Sequence, residues 1–251
     1  MRKLLLILTL LFCITIPCFG NEGVSFNGVS TGDGVGCGAS YFEDAWTGDN
    51  NSDAAHSIWT SETDTGGLLA LTGNAMVFTQ TASTGAYVYK TLGLAYTESW
   101  IQFTVAWSDE VMGGNGTSNT FYRALDGASN NGLYIKTINN SAGTIISLQL
   151  LFYNDSNIST SVGSVYTFTP VDGQIYTVKI YSKIASDVDT NNGIIRGYID
   201  GTLRFEATNL DWFTYADLKT LQNGNIYNTN TNTSGKTITF DNFEFRGDDC
   251  F

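Results

Sequence analysis

Apolar and polar residues alternate in short runs along most of this chain, and turn-forming residues separate the runs. The clearest runs are 99–107, 144–153 and 174–183. Side chains of a β-strand point alternately to the two faces of a sheet, so this period of two predicts strands with one buried face. The predicted buried sets are Ile101, Phe103, Val105 and Trp107, then Ile146, Leu148, Leu150 and Phe152, then Tyr176, Val178 and Ile180.

Weaker alternation and turn-forming residues predict further strands and a hairpin. Asp200-Gly201 separates two alternating runs, a pattern typical of a tight type I′ hairpin. A closing strand is predicted over 236–246, and the only helical candidate is 215–221. The remaining predicted strands are 68–72, 76–80, 86–91, 120–126, 132–138, 194–199 and 202–207. The pattern predicts an all-β fold, a two-sheet antiparallel jelly-roll sandwich with minimal helix.

The first twenty residues have the layout of a secretory signal peptide. Arg2 and Lys3 precede an apolar stretch over 4–16, and the small Gly20 stands before a polar residue. That stretch is shorter than the roughly 20 apolar residues that span a bilayer. We therefore expect cleavage after Gly20, a secreted, periplasmic or cell-surface location, and no membrane insertion afterwards. Attachment as a lipoprotein through Cys18 is the alternative.

Two cysteines, Cys37 and Cys250, remain after removal of the signal. In an oxidising compartment two lone cysteines indicate one disulfide. Such a bond requires the first and last strands to be neighbours. The expected organisation is a signal peptide over 1–20, a Gly-rich lead-in over 21–40 and one jelly-roll domain over 41–251.

The charge of the chain restricts its partners. It carries 24 acidic and 12 basic residues, a formal net charge of −12. An acidic surface repels phosphate backbones, so nucleic acid is not expected as a partner. The acidic groups either bind calcium or keep an extracellular protein in solution.

Three stretches resemble the concanavalin A-like lectin/glucanase superfamily, particularly its laminin-G-like and pentraxin-like members. They are the opening YFED, the run GQIYTVKIYSK followed by IIRGYIDGTLRFEATNL, and the closing ITFDNFEF. The resemblance implies two antiparallel sheets, one of them concave, with ligands on that face or at its rim. It also implies that the first and last strands lie side by side. Because the superfamily includes lectins, adhesins, hydrolases and lyases, the resemblance indicates fold rather than function.

The catalytic motifs of that superfamily do not occur in the sequence. Its glucanases carry E-x-D-x-x-E, which presents the two glutamates of a retaining glycosidase about 5–5.5 Å apart. Asp241 and Glu244 are three residues apart, which predicts opposite faces of a strand. Alginate-lyase-like members use a His, a Tyr and an Arg, but the single histidine, His56, lies in a polar stretch that predicts a loop. We therefore expect no catalytic site and no enzyme activity.

A structural calcium site is suggested by the same resemblance. Glu43 and Asp44 stand on the first strand and Asp241 on the last, so pairing of those strands would bring three carboxylates together. Calcium prefers oxygen ligands, and these can come from several chain segments. We expect Ca²⁺ as a structural cofactor here, and solvated carboxylates on edge strands are the alternative.

A ligand surface is predicted on the sheet face opposite the buried residues. Exposed aromatic rings can stack on the C–H face of a pyranose, while amide and cationic groups bind its hydroxyls. Solvation of an outer sheet face is the alternative role for such residues. The predicted ligand-binding residues are Trp100, Gln102, Gln149, Tyr153, Lys179, Tyr181, Arg196 and Tyr198.

Three hypotheses for function follow. The first is a secreted, non-catalytic lectin-like domain that binds a polysaccharide or surface glycan. The second is a structural or adhesive module that binds protein on a cell surface, in a matrix or on a virion. The third is a divergent glycan hydrolase or lyase, which requires a carboxylate or tyrosine site that known motifs do not reveal.

Overall fold

A computed structural model describes residues 41–44, 59–64, 66–80, 85–109, 117–128, 130–228 and 235–247. Every regular element within these ranges is a β-strand, and the strands form two antiparallel sheets that pack face to face. The predicted all-β, two-sheet antiparallel sandwich is therefore confirmed. The described part of the chain has no helix long and apolar enough to cross a membrane.

Eight strands form the first sheet, called sheet A. They are β1 (Tyr41–Asp44), β3 (Leu69–Thr72), β4 (Ala75–Thr79), β6 (Glu98–Trp107), β12 (Ile175–Lys183), β13 (Gly193–Ile199), β14 (Thr202–Leu210) and β16 (Thr237–Arg246). Their order is β14-β13-β12-β6-β16-β4-β3, and β1 pairs with the second half of β16.

Eight further strands form sheet B. They are β2 (Ser61–Asp64), β5 (Ala86–Tyr96), β7 (Ser118–Asp126), β8 (Asn131–Asn139), β9 (Ile145–Tyr153), β10 (Ser159–Ser161), β11 (Tyr166–Thr167) and β15 (Leu218–Asn228). Their order is β10-β9-β8-β7-β15-β5-β2, and β11 pairs with β9.

Aromatic side chains from both sheets fill the space between them. Phe103 of β6 contacts Phe121 and Tyr122 of β7, with ring centroids 6.3 and 5.5 Å away. It also contacts Phe240 and Phe243 of β16, at 5.9 and 6.1 Å. All five rings are buried. Away from the pairing shifts of β7 and β16, the residues that neighbour these rings in their strands point outward.

The best-defined predicted strands and the hairpin are confirmed. The runs 99–107 and 174–183 form β6 and β12, and their predicted apolar sets are buried. Asp200 and Gly201 join β13 to β14 with φ values of 49° and 72°, as a type I′ turn requires. The first and last strands are neighbours, because β1 pairs antiparallel with β16.

The predicted helix over 215–221 is wrong, because β15 begins at Leu218 and lies between β7 and β5. Leu218 and Leu221 are both buried although they are three residues apart. The pairing of β15 with β7 shifts between Leu218 and Thr220, so Lys219 is an extra residue of β15 relative to that neighbour. The helix-like spacing of the two leucines therefore comes from a β-bulge.

The burial predicted for Ile146 is also wrong, since 40% of this residue is exposed. The pairing of β8 with β9 shifts at this point, and Ile145 takes the buried position. The rest of the predicted set on β9, which is Leu148, Leu150 and Phe152, is buried as expected.

A second irregularity changes the predicted placement of two carboxylates. The pairing of β16 with β6 shifts between Asp241 and Glu244, and Asn242 has a φ of 51°. Phe240 and Phe243 both face the core as a result. Asp241 and Glu244 therefore lie on the same outer face, and the prediction of opposite faces is wrong.

Several predictions concern residues outside the described ranges. They are the signal peptide over 1–20, the lead-in over 21–40, the loop position of His56 and the disulfide between Cys37 and Cys250. Each of these stays a prediction, as does the extracellular location.

Gly197 of β13 lies where the two sheets approach closely. A Cβ atom there would stand 2.8 Å from Cδ2 of Phe205 and 3.0 Å from Cδ2 of Leu150. We expect Gly197→Ala to lower the free energy of unfolding by about 1–3 kcal/mol, because a packed core must shift to admit the methyl group. The control is Gly93→Ala, where no atom lies within 4 Å of the added Cβ. Urea unfolding compares the two, and equal midpoints would contradict the packing described.

Candidate functional site

Sheet B carries a continuous group of aromatic, amide and cationic side chains on its outer face. Each member alternates along its strand with a buried residue, and all except the buried Gln222 are half-buried. We call this group the tyrosine–lysine face. It consists of Tyr87, Tyr89, Gln222, Arg123, Tyr134, Lys136, Gln149 and Tyr153, on strands β5, β15, β7, β8 and β9.

Hydrogen bonds fix the centre of the tyrosine–lysine face. Arg123 stands directly opposite Gln222 on one side and Tyr134 on the other. Its Nε donates to Oε1 of Gln222 over 2.8 Å. The hydroxyl of Tyr134 lies 2.6 Å from that of Ser159 on the edge strand β10, and its ring centroid lies 6.0 Å from that of Tyr153. These contacts hold the guanidinium and the two phenol rings in place.

Lys136 lies on the same strand as Tyr134 and opposite Gln149 of β9. Nε2 of Gln149 donates to Oγ of Ser161 over 2.7 Å, so this amide is held by the edge strand β10. Lys136 itself forms no ion pair with any residue of the described ranges. Its ammonium group therefore remains available to a ligand.

The tyrosine–lysine face is poor in negative charge although the chain as a whole is acidic. Its five strands contain one carboxylate residue, Asp126. That side chain is buried, and its Oδ1 accepts hydrogen bonds from the backbone N–H groups of Ala128 and Asn130 at the end of β7. The outward positions of these strands therefore present cations without carboxylates, which favours an anionic ligand.

Burial changes the proton affinity of two side chains on β8. It lowers the pKa of Lys136, because a half-buried site disfavours the ammonium form. It raises the pKa of Tyr134, and the hydrogen bond with Ser159 opposes this shift while the neighbouring Tyr153 adds to it. Burial also lowers the pKa of Arg123, but a guanidinium stays cationic at physiological pH.

These three side chains can perform acid–base chemistry on an anion. Tyr134 and Lys136 are two residues apart on one strand, so they point to the same side about 7 Å apart. A lysine with a lowered pKa can accept a proton, and a phenol with a raised pKa stays protonated and can donate one. Opposite shifts of this kind make Lys136 a candidate base and Tyr134 a candidate acid. Arg123 stands beside them and can bind a carboxylate.

The eight residues predicted to bind ligand do not form one surface. Gln149 and Tyr153 belong to the tyrosine–lysine face. The others lie on the outer face of sheet A, on the opposite side of the sandwich. These six are Trp100 and Gln102 of β6, Lys179 and Tyr181 of β12, and Arg196 and Tyr198 of β13.

The calcium site stays a prediction. Pairing of β1 with β16 places Glu43 opposite Glu244 and Asp44 opposite Phe243. Oδ1 of Asp241 accepts a hydrogen bond from the backbone N–H of Asn242 over 2.7 Å. Within the described ranges no group of three or more His, Cys, Asp or Glu residues is arranged to hold a metal ion.

Comparison with known proteins gives matches at the level of structure. No protein-family model and no curated protein sequence matches the chain. A substituted form of alginate lyase Aly36B, in complex with alginate trisaccharide, is similar with a TM-score of 0.61 and 16% identity, over 83% of this chain and 98% of that one. An endo-β-1,4-glucuronan lyase from the fungus Trichoderma reesei is similar with a TM-score of 0.55 and 17% identity, over 84% and 96%.

A third similar structure is the ligand-binding domain of botulinum neurotoxin serotype D in complex with N-acetylneuraminic acid. Its TM-score is 0.55 and its identity 12%, over 84% of this chain and 48% of that one. At these identities the three matches show a shared fold. The fold is a jelly-roll sandwich of the kind found in polysaccharide lyases and carbohydrate-binding toxin domains.

The prediction that the chain is not an enzyme is wrong. It depended on the missing glutamate motif and on the single histidine, His56. The similar structures include two lyases, so this fold accommodates enzymes. The absence of these motifs excludes only the catalytic sites that the motifs themselves define.

Sequence reasoning missed Arg123, Tyr134 and Lys136. The signal was present in the runs 120–126 and 132–138, which were predicted as strands from their apolar residues. Tyr134 and Lys136 alternate with the apolar Leu133 and Ile135, so they lie on the opposite face of the predicted strand. No acidic residue occurs in the run 132–138. A basic, tyrosine-containing strand in an acidic chain was the available indication.

Removal of the Lys136 amine should stabilise the protein at neutral pH. The folded state holds this lysine with a pKa below the ordinary 10.5, so the unfolded state binds more protons and stability rises with pH through that interval. We expect Lys136→Met to raise the urea midpoint at pH 7, with the gain disappearing above the ordinary lysine pKa. Lys183→Met is the control, because that exposed lysine pairs with Glu98 over 3.1 Å. A Lys136→Met midpoint at or below wild type at pH 7 would contradict the burial argument.

Proposed function

We propose that this protein is a polysaccharide lyase that cleaves a uronate-containing polysaccharide on the tyrosine–lysine face. The observation that carries the proposal is the placement of Tyr134 and Lys136 two residues apart on the outward side of β8, with Arg123 directly opposite Tyr134. Burial lowers the pKa of the lysine and raises that of the tyrosine. The two similar structures named as alginate and glucuronan lyases support the substrate class. The toxin domain bound to N-acetylneuraminic acid supports a carbohydrate ligand in general.

Cleavage by β-elimination needs three functions that this face can provide. A cation neutralises the uronate carboxylate and so acidifies the neighbouring C5 proton, and Arg123 is the group in that role. A base removes the C5 proton, and the electron pair forms the C4–C5 double bond as the C4–O glycosidic bond breaks. Lys136 is the base, and Tyr134 gives its proton to the departing oxygen. No water and no oxidant is consumed, so atoms and electrons balance.

The neutral amide groups on this face provide orientation. Gln149 is held by Ser161, and Gln222 is held by Arg123. The half-buried Gln149 keeps a donor and an acceptor that suit sugar hydroxyl groups, while the buried Gln222 orients Arg123. Tyr87 and Tyr89 extend the face along β5 and supply rings on which further sugar units can stack.

Some finer predictions remain without a test. One is the closer relationship to laminin-G-like or pentraxin-like proteins, and another is binding to a protein partner. The site on sheet B depends on neither.

An elimination assay tests the proposal directly. Alginate and glucuronan would be incubated with the protein, and ultraviolet absorbance would report the new double bond conjugated with the carboxylate. We expect product with at least one of them, and a loss in kcat of about 10²–10⁴-fold for Lys136→Ala, the range typical of a general base. Lys179→Ala on sheet A is the matched control and should retain wild-type activity.

Two outcomes of that assay would contradict the proposal. New reducing ends without ultraviolet absorbance would indicate hydrolysis instead of elimination. Wild-type activity in Lys136→Ala would show that the base lies elsewhere.

The pH dependence of kcat provides a separate test. Activity should rise with pH through the lowered pKa of Lys136, because only the neutral amine accepts a proton. It should fall only above the ordinary tyrosine value of 10.0, because the pKa of Tyr134 is raised. The profile is therefore expected to have an alkaline optimum, and Tyr134→Phe should remove the upper limb together with most of the activity. An optimum below neutral pH would contradict these roles.

A further inference from the structure

A second group of aromatic side chains lies on the outer face of sheet A. The ring of Trp100 is 4.8 Å from that of Tyr181 and 6.0 Å from that of Tyr198, measured between centroids. Trp100 pairs across β6 and β12 with Tyr181, and all three side chains are half-buried. We call these three rings the aromatic plate. It lies on the side of the sandwich opposite the proposed catalytic face.

Polar contacts fix the aromatic plate before any ligand arrives. The hydroxyl of Tyr181 donates to Oε1 of Glu98 over 2.7 Å, and Nζ of Lys179 lies 4.2 Å from the centroid of a Trp100 ring. Burial, and after it the contact with Glu98, raises the pKa of Tyr181 to about 12, so its hydroxyl stays protonated. Rings held in this way lose little conformational freedom when a ligand stacks on them.

Charges around the aromatic plate compensate one another. Lys183 pairs with Glu98 over 3.1 Å, and Arg196 pairs with Glu206 over 2.8 Å. Further along β16, Arg246 pairs with Glu244. This balance differs from the tyrosine–lysine face, whose strands carry cations without outward carboxylates. Lys179 contacts the Trp100 ring instead of a carboxylate. Because the other cations named here have carboxylate partners, the aromatic plate attracts a polyanion less strongly than the tyrosine–lysine face does.

We propose that the aromatic plate is a second, non-catalytic binding surface for a neutral polysaccharide chain. Pyranose C–H groups would stack on Trp100, Tyr181 and Tyr198, and the flanking ion pairs would offer both donors and acceptors to the hydroxyl groups. A sugar leaves those ion pairs in contact with water, whereas a protein partner would have to desolvate them at a cost. The surface therefore suits a glycan better than a protein. Its role is to hold the protein on a glycan matrix while the opposite face meets its own substrate.

Affinity electrophoresis tests this proposal with three neutral probes, which are mixed-linkage β-glucan, glucomannan and arabinoxylan. We expect at least one of them to retard the wild-type protein, with retardation insensitive to salt because ring stacking is not screened. Trp100→Ala and Tyr198→Ala should each weaken retardation at least tenfold in apparent Kd. Trp100→Phe keeps a ring and should retain most of the binding, which separates loss of stacking from misfolding.

Lys136→Ala is the matched control and should bind the neutral probes as wild type does. Because that variant is also expected to lose lyase activity, failure of the lyase proposal and failure of the aromatic-plate proposal can be told apart. Absence of retardation by all three probes would overturn the second surface, and so would unchanged retardation in Trp100→Ala. Self-association of the wild type that Trp100→Ala abolishes, without glycan binding, would assign the plate to protein contact and would also overturn it.

Discussion

Phe103 connects the two sheets, and its packing fixes which side chains of β6 and β7 point inward and which point outward. Its ring packs against β7 of the opposite sheet through Phe121 and Tyr122, and against β16 of its own sheet through Phe240 and Phe243. Strand side chains alternate, so anchoring Tyr122 inward turns Arg123 outward, and anchoring Phe103 inward turns Gln102 and Thr104 outward. The core thus determines both outer faces.

The two outer faces differ in charge while they share aromatic and amide chemistry. On sheet A most cations have carboxylate partners, as in the pairs of Lys183 with Glu98 and Arg196 with Glu206, while Lys179 contacts the Trp100 ring. On sheet B, Arg123 is held by the neutral amide of Gln222, and burial lowers the pKa of Lys136. A polyanion therefore meets cations on sheet B whose own strands present no outward carboxylates. This difference, in an acidic chain, is why we assign the chemistry to sheet B.

The sandwich could be predicted from the sequence because its longest strands alternate strictly. Predictions failed where a bulge inserts one residue: the range 215–221 was predicted as helical, Ile146 as buried, and Asp241 and Glu244 as lying on opposite faces. The ligand-binding residues were predicted from residue type, which the sequence shows directly. The sheet on which each of them lies depends on long-range strand pairing, which the sequence does not show. Gln149 and Tyr153 therefore lie on the opposite side from Trp100. Lys136 was missed because its lowered pKa comes from burial, which no local pattern reveals.

Chemical-shift mapping by NMR tests the central claim most directly, because it asks which face meets a uronate chain. Short oligouronates would be titrated into Lys136→Ala protein, in which slow turnover preserves the ligand. The account predicts that the perturbed resonances belong to Arg123, Tyr134, Gln149 and Tyr153, with those of Trp100 and Tyr198 unchanged. Perturbation confined to sheet A, or no perturbation of either sheet, would contradict it.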